Sequence, residues 1–110
     1  MQSIAPYIFE EIEIHDSIKK QIVPFKHMDD FNFVDIYKCA WTLNEEKNIC
    51  PLLASIDPYD NTIFNYNQCE ELLLEIENIN ESCRSITNLE NIKNLIKSIE
   101  RGKYLLLMGD

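Results

Sequence analysis

The stretch ICPLLASIDPYDNTIFNYN, residues 49–67, joins an apolar segment to a forced turn, a short strand and the start of an acidic helix. Ile49 to Ile56 is apolar and bounded by turn residues, a pattern that predicts a buried strand. Asp57-Pro58-Tyr59-Asp60-Asn61 then reverses the chain. Pro58 sets φ for the first central turn position, and Asp57 and Asn61 carry side chains that bond nearby backbone amides. Thr62-Ile63-Phe64 is the returning strand. Asn67-Gln68-Cys69-Glu70 has the form of an N-cap with an acid three residues on, and Glu70 and Glu71 fall in the first turn, where the helix dipole favours negative charge. Cys69, Leu72, Leu73, Ile76 and Ile79 form one apolar stripe, so this helix is expected to run to about Glu81.

Toward the C-terminus, Thr87-Asn88-Leu89-Glu90 reads as a capping box for a second helix, with Leu89, Ile92, Leu95, Ile96 and Ile99 on one face. Lys93, Lys97 and Arg101 lie toward its end, and Gly102 suits the position just past it. Tyr104 to Met108 is a short apolar strand. Two antiparallel helices return the chain to the end of the sheet it left, so this strand should run antiparallel to Thr62–Phe64.

Toward the N-terminus, Phe33 to Leu43 is rich in β-branched and aromatic residues and splits into two interleaved apolar sets, which predicts a central strand covered on both faces. Asn44 to Asn48 is a polar connection of hairpin length, so this strand is expected to pair antiparallel with Ile49–Ile56. Trp41 is then a core anchor, with an exposed contact role as the alternative. Tyr7 to Ile14 reads as a strand with one wet face, Ser17 to Val23 as one or two helical turns before Pro24, and Phe25 to Asp30 as a loop. The expected architecture is α+β: a single domain over residues 1–110, an antiparallel sheet of about five strands, and a two-helix hairpin packed on one face.

A chain of 110 residues with 45% hydrophobic and 26% charged residues has the composition of a globular domain with its own core. No apolar run approaches the ~18 residues of a membrane span. Glu10, Glu11 and Glu13 interrupt the region where a signal peptide needs its apolar centre, so a cytoplasmic protein is expected. Cys39, Cys50, Cys69 and Cys83 are irregularly spaced, without a Cys-x-x-Cys pair or a nearby His, and read as buried reduced thiols rather than metal ligands. The only glycines are Gly102 and Gly109, so no Gly-rich loop is present to cradle a phosphate. No cofactor and no metal are expected.

The net charge of −9 argues against nucleic acid as a partner and for a cationic one. Its distribution is more telling than its total. No Lys or Arg lies between Asn48 and Cys83, whereas Asp57, Asp60, Glu70, Glu71, Glu75, Glu77 and Glu81 do. Glu71 with Glu75, and Glu70 with Glu77, are expected on the wet side of the first long helix. Adjacent acids on one exposed face do not suit glycosidase chemistry, which works across a cleft with one carboxyl made partly apolar. They suit a solvated helix face or a negative surface that steers a basic protein. His15-Asp16-Ser17 holds the residue types of a triad, but adjacent residues cannot converge on one substrate atom, and His27 with Asp29 and Asp30 reads as solvated loop. No catalysis is expected.

The block from the apolar segment through Asp57-Pro58-Tyr59-Asp60, Thr62-Ile63-Phe64-Asn65 and the Gln68-led acidic helix resembles one found in small bacterial proteins of the toxin-immunity kind. The ending Lys103-Tyr104-Leu105-Leu106-Leu107-Met108-Gly109-Asp110 is similar to the closing strand of the same group, which typically finishes in Gly-Asp. The resemblance covers roughly the C-terminal half; residues 1–48 carry no comparable match. It implies an immunity protein that binds and neutralises a cognate toxin delivered by contact-dependent inhibition or a related route. Such a toxin would be basic, with a nuclease as the natural class. The candidate partner-contacting residues are Tyr59, Asp60, Tyr66, Glu70, Glu71, Glu75 and Glu77. A monomer is expected, with no nucleic-acid or membrane partner. The rival reading is a small acidic adaptor domain with no toxin.

Overall fold

The computed structural model describes residues 3–14, 17–24 and 28–110. His15, Asp16 and His27, and the side chains of Ser17 and Asp29, lie outside the described residues, so the triad and cation readings fall there too. The described chain runs β1 (Ile4–Ile14), β2 (Ser17–Pro24), a 3-10 turn (Met28–Phe31), α1 (Val34–Lys47), α2 (Pro51–Ala54), β3 (Asn61–Phe64), α3 (Tyr66–Ile79), α4 (Leu89–Lys97) and β4 (Lys103–Gly109). The fold is α+β, with a four-stranded antiparallel sheet in the order β2-β1-β4-β3.

Where the sequence suggested five strands, two of those segments are helical. Phe33–Leu43 lies almost wholly in α1, and Ile49–Ile56 contains the short helix α2, so the hairpin expected between them does not exist. Phe33, the residue that precedes α1, and Ile36 and Ala40 within it are fully buried, while Asp35, Lys38, Trp41 and Thr42 face solvent. That spacing of three and four is the helical period, and it overrides the local strand preference of the aromatic and β-branched residues. Asn48 ends the helix in a left-handed conformation, φ 51°, with its amide bonded to Asn44 O. Pro51 opens α2 at the position where a missing N–H costs nothing. In the opposite sense, Ser17–Val23 is strand: it pairs with β1 from Ile14↔Ser17 to Tyr7↔Pro24.

The C-terminal half follows the expected order, with shifted caps. α3 is capped by Asn65, not Asn67: Gln68 N donates to Asn65 Oδ1 at 2.8 Å, and Asn65 N donates to Gln68 Oε1 at 2.9 Å. Asn65 follows directly on Phe64, whose burial fixes the end of β3, so the helix starts two residues early. α4 begins after Asn88 without a side-chain cap from Thr87; Asn88 Nδ2 instead donates to Asn32 O at 2.9 Å. β4 runs antiparallel to β3, as the hairpin argument required, and also pairs with β1.

One core lies on one face of the sheet. Ile4, Phe64, Leu105 and Leu107 meet Phe33, Ile36, Leu53, Leu72, Ile76 and Ile92 from the helices. All four helices therefore contribute to that core, rather than a two-helix hairpin alone. Cys39 and Cys83 form a disulfide that ties α1 to the α3–α4 connection across 44 residues of chain, which corrects the expectation of four reduced thiols. Cys50 and Cys69 are free and buried.

Candidate partner-binding surface

The turn after α2 is built by the residues the sequence singled out. Asp57 Oδ1 accepts from Tyr59 N at 2.9 Å, and Asp57 N donates to Thr62 Oγ1 at 2.8 Å, which closes the turn from both sides. Asp60 Oδ1 accepts from Asn61 N at 2.8 Å, and its carbonyl accepts from Gly109 N at 2.9 Å. Gly109 is obligatory here: a Cβ on it would run into the Pro58 carbonyl. The last strand thus pins the turn, and the turn presents Tyr59 outward, 66% exposed.

Facing the turn is α1. Tyr37, Lys38, Trp41 and Thr42 form one wall and Pro58 and Tyr59 the other of an open groove of about 330 Å³. Trp41 is 45% exposed and is not the core anchor expected of a strand residue. Its signal was present in the sequence: counted at helical spacing, position 41 falls off the Phe33–Ile36–Ala40 stripe. The Tyr37 hydroxyl is held above its ordinary pKa by partial burial, then by the nearby Asp57 charge and by Tyr59, so it stays a hydrogen-bond donor well past neutral pH. Two large aromatic side chains, a tyrosyl donor and the carboxylates of one turn therefore share one surface.

The remaining candidates do not join it as one surface. Glu70 and Glu71 are exposed on α3, as expected. Tyr66 and Glu70 line a smaller groove of about 210 Å³ with Leu73, Ile96, Lys97 and Ile99, and the Arg101 guanidinium sits 5.1 Å from the Tyr66 ring centre. Glu77 is exposed but paired with Lys93 Nζ at 3.0 Å, which neutralises it locally. Glu75 is the clear correction. It is 7% exposed, and its carboxylate accepts from Leu52 N at 3.1 Å and Leu53 N at 2.9 Å. It caps the start of α2 from a different helix and is not part of a wet acidic face. Position 75 lies three residues after Leu72 and four before Ile79, inside the apolar stripe, so the spacing itself marked it as inward.

Comparison with known families, curated proteins and solved structures found no match. Among the described residues no three His, Cys, Asp or Glu side chains converge to hold a metal ion, and no helix is long and apolar enough to cross a membrane. Burial pushes the Cys50 thiol up to about 11, with the Glu75 charge adding to the effect. Burial does the same to Cys69, also to about 11, against an opposing hydrogen bond from the Leu105 backbone. Both are neutral, enclosed thiols at physiological pH, unsuited to nucleophilic work.

Proposed function

We propose that the protein is an immunity protein that binds and neutralises a cognate toxin, with the Trp41–Tyr59 groove as the contact surface and the toxin supplying the basic complement. The observation that carries this reading is the exposure of Trp41 and Tyr59 on facing walls, beside Asp57 and Asp60. Trp and Tyr are the residues that dominate binding energy when a partner dehydrates them, and the flanking carboxylates steer a cationic surface toward them. Lys38 lines the same groove, so a partner's basic groups are directed to the side of the turn that carries Asp57 and Asp60. Glu70 and Glu71, exposed on α3 and apart from the groove, add only to the overall negative charge that attracts a cationic partner. The reading is one of binding without catalysis, and a basic nuclease is the toxin class that fits the charge.

A cytoplasmic site of action belongs to the same proposal. The Cys39–Cys83 bond stands against it, because thiols there are normally kept reduced, and a count of free thiols in protein taken directly from cytoplasm decides the matter.

The test is co-purification with, and protection against, any basic toxin domain that the neighbouring reading frame encodes. A stoichiometric amount should abolish the toxin's activity, and Trp41→Ala or Tyr59→Ala should weaken binding by ~2 kcal/mol or more. The association rate should fall between low and physiological salt, where screening acts over about 8–10 Å. Undiminished toxin activity in the presence of excess protein rules the function out.

A further inference from the structure

The sheet has a second face, and among the described residues no helix covers it. Register and strand alternation place Phe9, Ile22, Ile63, Tyr104 and Leu106 on the side opposite Leu105 and Leu107. None of the five belongs to the core cluster. Phe9 and Tyr104 are directly opposed across β1 and β4 and pack edge to face, with ring centres 5.6 Å apart. Leu106, in the middle, is only 2% exposed, while Ile22 and Ile63 stand exposed on the two edge strands. The face is therefore an ordered apolar ridge flanked by open isoleucines, a composition that marks an interaction surface.

We propose that this face binds a second copy of the chain, sheet against sheet across a two-fold axis. Charge selects the occupant. The chain carries a net charge of −9, but its cation-free acidic stretch lies on the turn and on α3, and α3 packs on the opposite face of the sheet through Leu72 and Ile76. On the bare face the described ionic side chains are Glu11 and Lys20, directly opposed in register and opposite in sign, with Lys20 Nζ also 5.7 Å from the Phe9 ring centre. A basic partner is drawn to the other side of the molecule. A second copy meets a neutral surface and keeps its own acidic helices pointing away.

Shape and area agree. A two-fold contact must be self-complementary, and isoleucines at both edges with an aromatic ridge between them allow each sheet's edges to pack beside the other's ridge at the ~10 Å spacing of stacked sheets. Strands of 11, 8, 4 and 7 residues, each rising ~3.3 Å per residue and lying ~4.8 Å from its neighbour, give a projected face of roughly 450 Å² per copy. Two such faces hide about 900 Å², near the ~1,000 Å² that a specific interface must clear and short of the ~1,600 Å² of a standard one. The dimer is accordingly reversible, forming in the micromolar to sub-millimolar range rather than permanently.

Sedimentation equilibrium of the full chain across that range tests the proposal. A 13.0 kDa chain should show a concentration-dependent rise toward twice that mass, and added salt should not dissolve the dimer. Ile22→Lys and Ile63→Lys should each weaken association by roughly tenfold or more, since each places a charge where an apolar side chain is buried. Both side chains are exposed in the single chain, so melting should be little changed. Leu74→Lys, the same charge change at an exposed leucine of α3, should leave association as it was. A chain that stays monomeric throughout, or a dimer broken by Leu74→Lys and not by the two isoleucine variants, overturns the inference. A monomer whose isoleucine variants lose toxin binding overturns it equally, because the face then belongs to the toxin.

Discussion

Glu75 on α3 accepts a 2.9 Å hydrogen bond from the backbone amide of Leu53, 22 residues earlier, and so caps a helix to which it does not belong. Its second oxygen takes the amide of Leu52 at 3.1 Å. α2 is a single turn whose own preceding residue, Cys50, offers no side-chain cap, so Glu75 supplies the acceptor that Cys50 lacks. Glu75→Ala leaves the buried Leu53 amide without its acceptor and should cost about 1–3 kcal/mol of stability. Denaturant titration measures this. Glu71→Ala, an exposed acid one helical turn away, should change stability little; equal losses at the two positions would remove the structural distinction between them.

The pH dependence of Glu75 has a definite sign. Burial raises its pKa, the two backbone amides oppose that, and the Glu71 charge adds to the rise, leaving it net above the ordinary carboxylate value. A raised folded-state pKa means that this group's contribution to stability is complete below the unfolded carboxylate value, near ~4.3, and is lost as pH rises through the folded value. The stability difference between the native chain and Glu75→Gln should therefore shrink from mildly acidic toward neutral pH. A difference that grows over that range would mean that the amide bonds to the carboxylate outweigh its burial.

The cysteines should divide into two classes. Denatured without reductant, the oxidised chain should expose two reactive thiols, Cys50 and Cys69, and after reduction four. Closing a 44-residue separation restricts the unfolded chain enough to be worth up to ~4 kcal/mol in the chain-entropy model, so reduction should lower the denaturation midpoint accordingly. Four thiols without reduction would show that the bond does not form. Because Trp41 lies two residues past Cys39 on α1, its fluorescence should report any loosening of the groove on reduction.

The turn separates structural from contact roles. Asp57→Asn should be mild, since Asn offers the same acceptor to Tyr59 N, whereas Asp57→Ala should cost on the order of 1 kcal/mol. Asp60→Asn keeps an oxygen for Asn61 N and should leave melting unchanged while weakening toxin binding. Affinity and melting measured on both Asn variants decide the assignment: a stability loss at Asp60→Asn with intact binding would reverse it.

Local chemistry alone carried the turn at 57–61, the short strand after it, α3, α4 and the closing strand, because each is marked by Pro or by an unbroken apolar period that only one conformation satisfies, although the caps of α3 and α4 differ from those the sequence suggested. It also carried the first strand and the antiparallel pairing of β3 with β4. What tertiary structure decided are the places where a local pattern had two solutions. Residues 33–43 satisfy a period of two as well as one of three to four, and burial of Phe33, Ile36 and Ala40 against the sheet chose the helix. Ser17–Val23 became a strand because β1 offered it a ladder of hydrogen bonds that an isolated turn of helix lacks. The Cys39–Cys83 bond and the capping role of Glu75 join residues 44 and 22 positions apart, and such partners meet only after the helices have packed. The surface with Trp41 facing Tyr59 has the same origin: both residues are plain in the sequence, but only the turn of α1 toward solvent makes them neighbours.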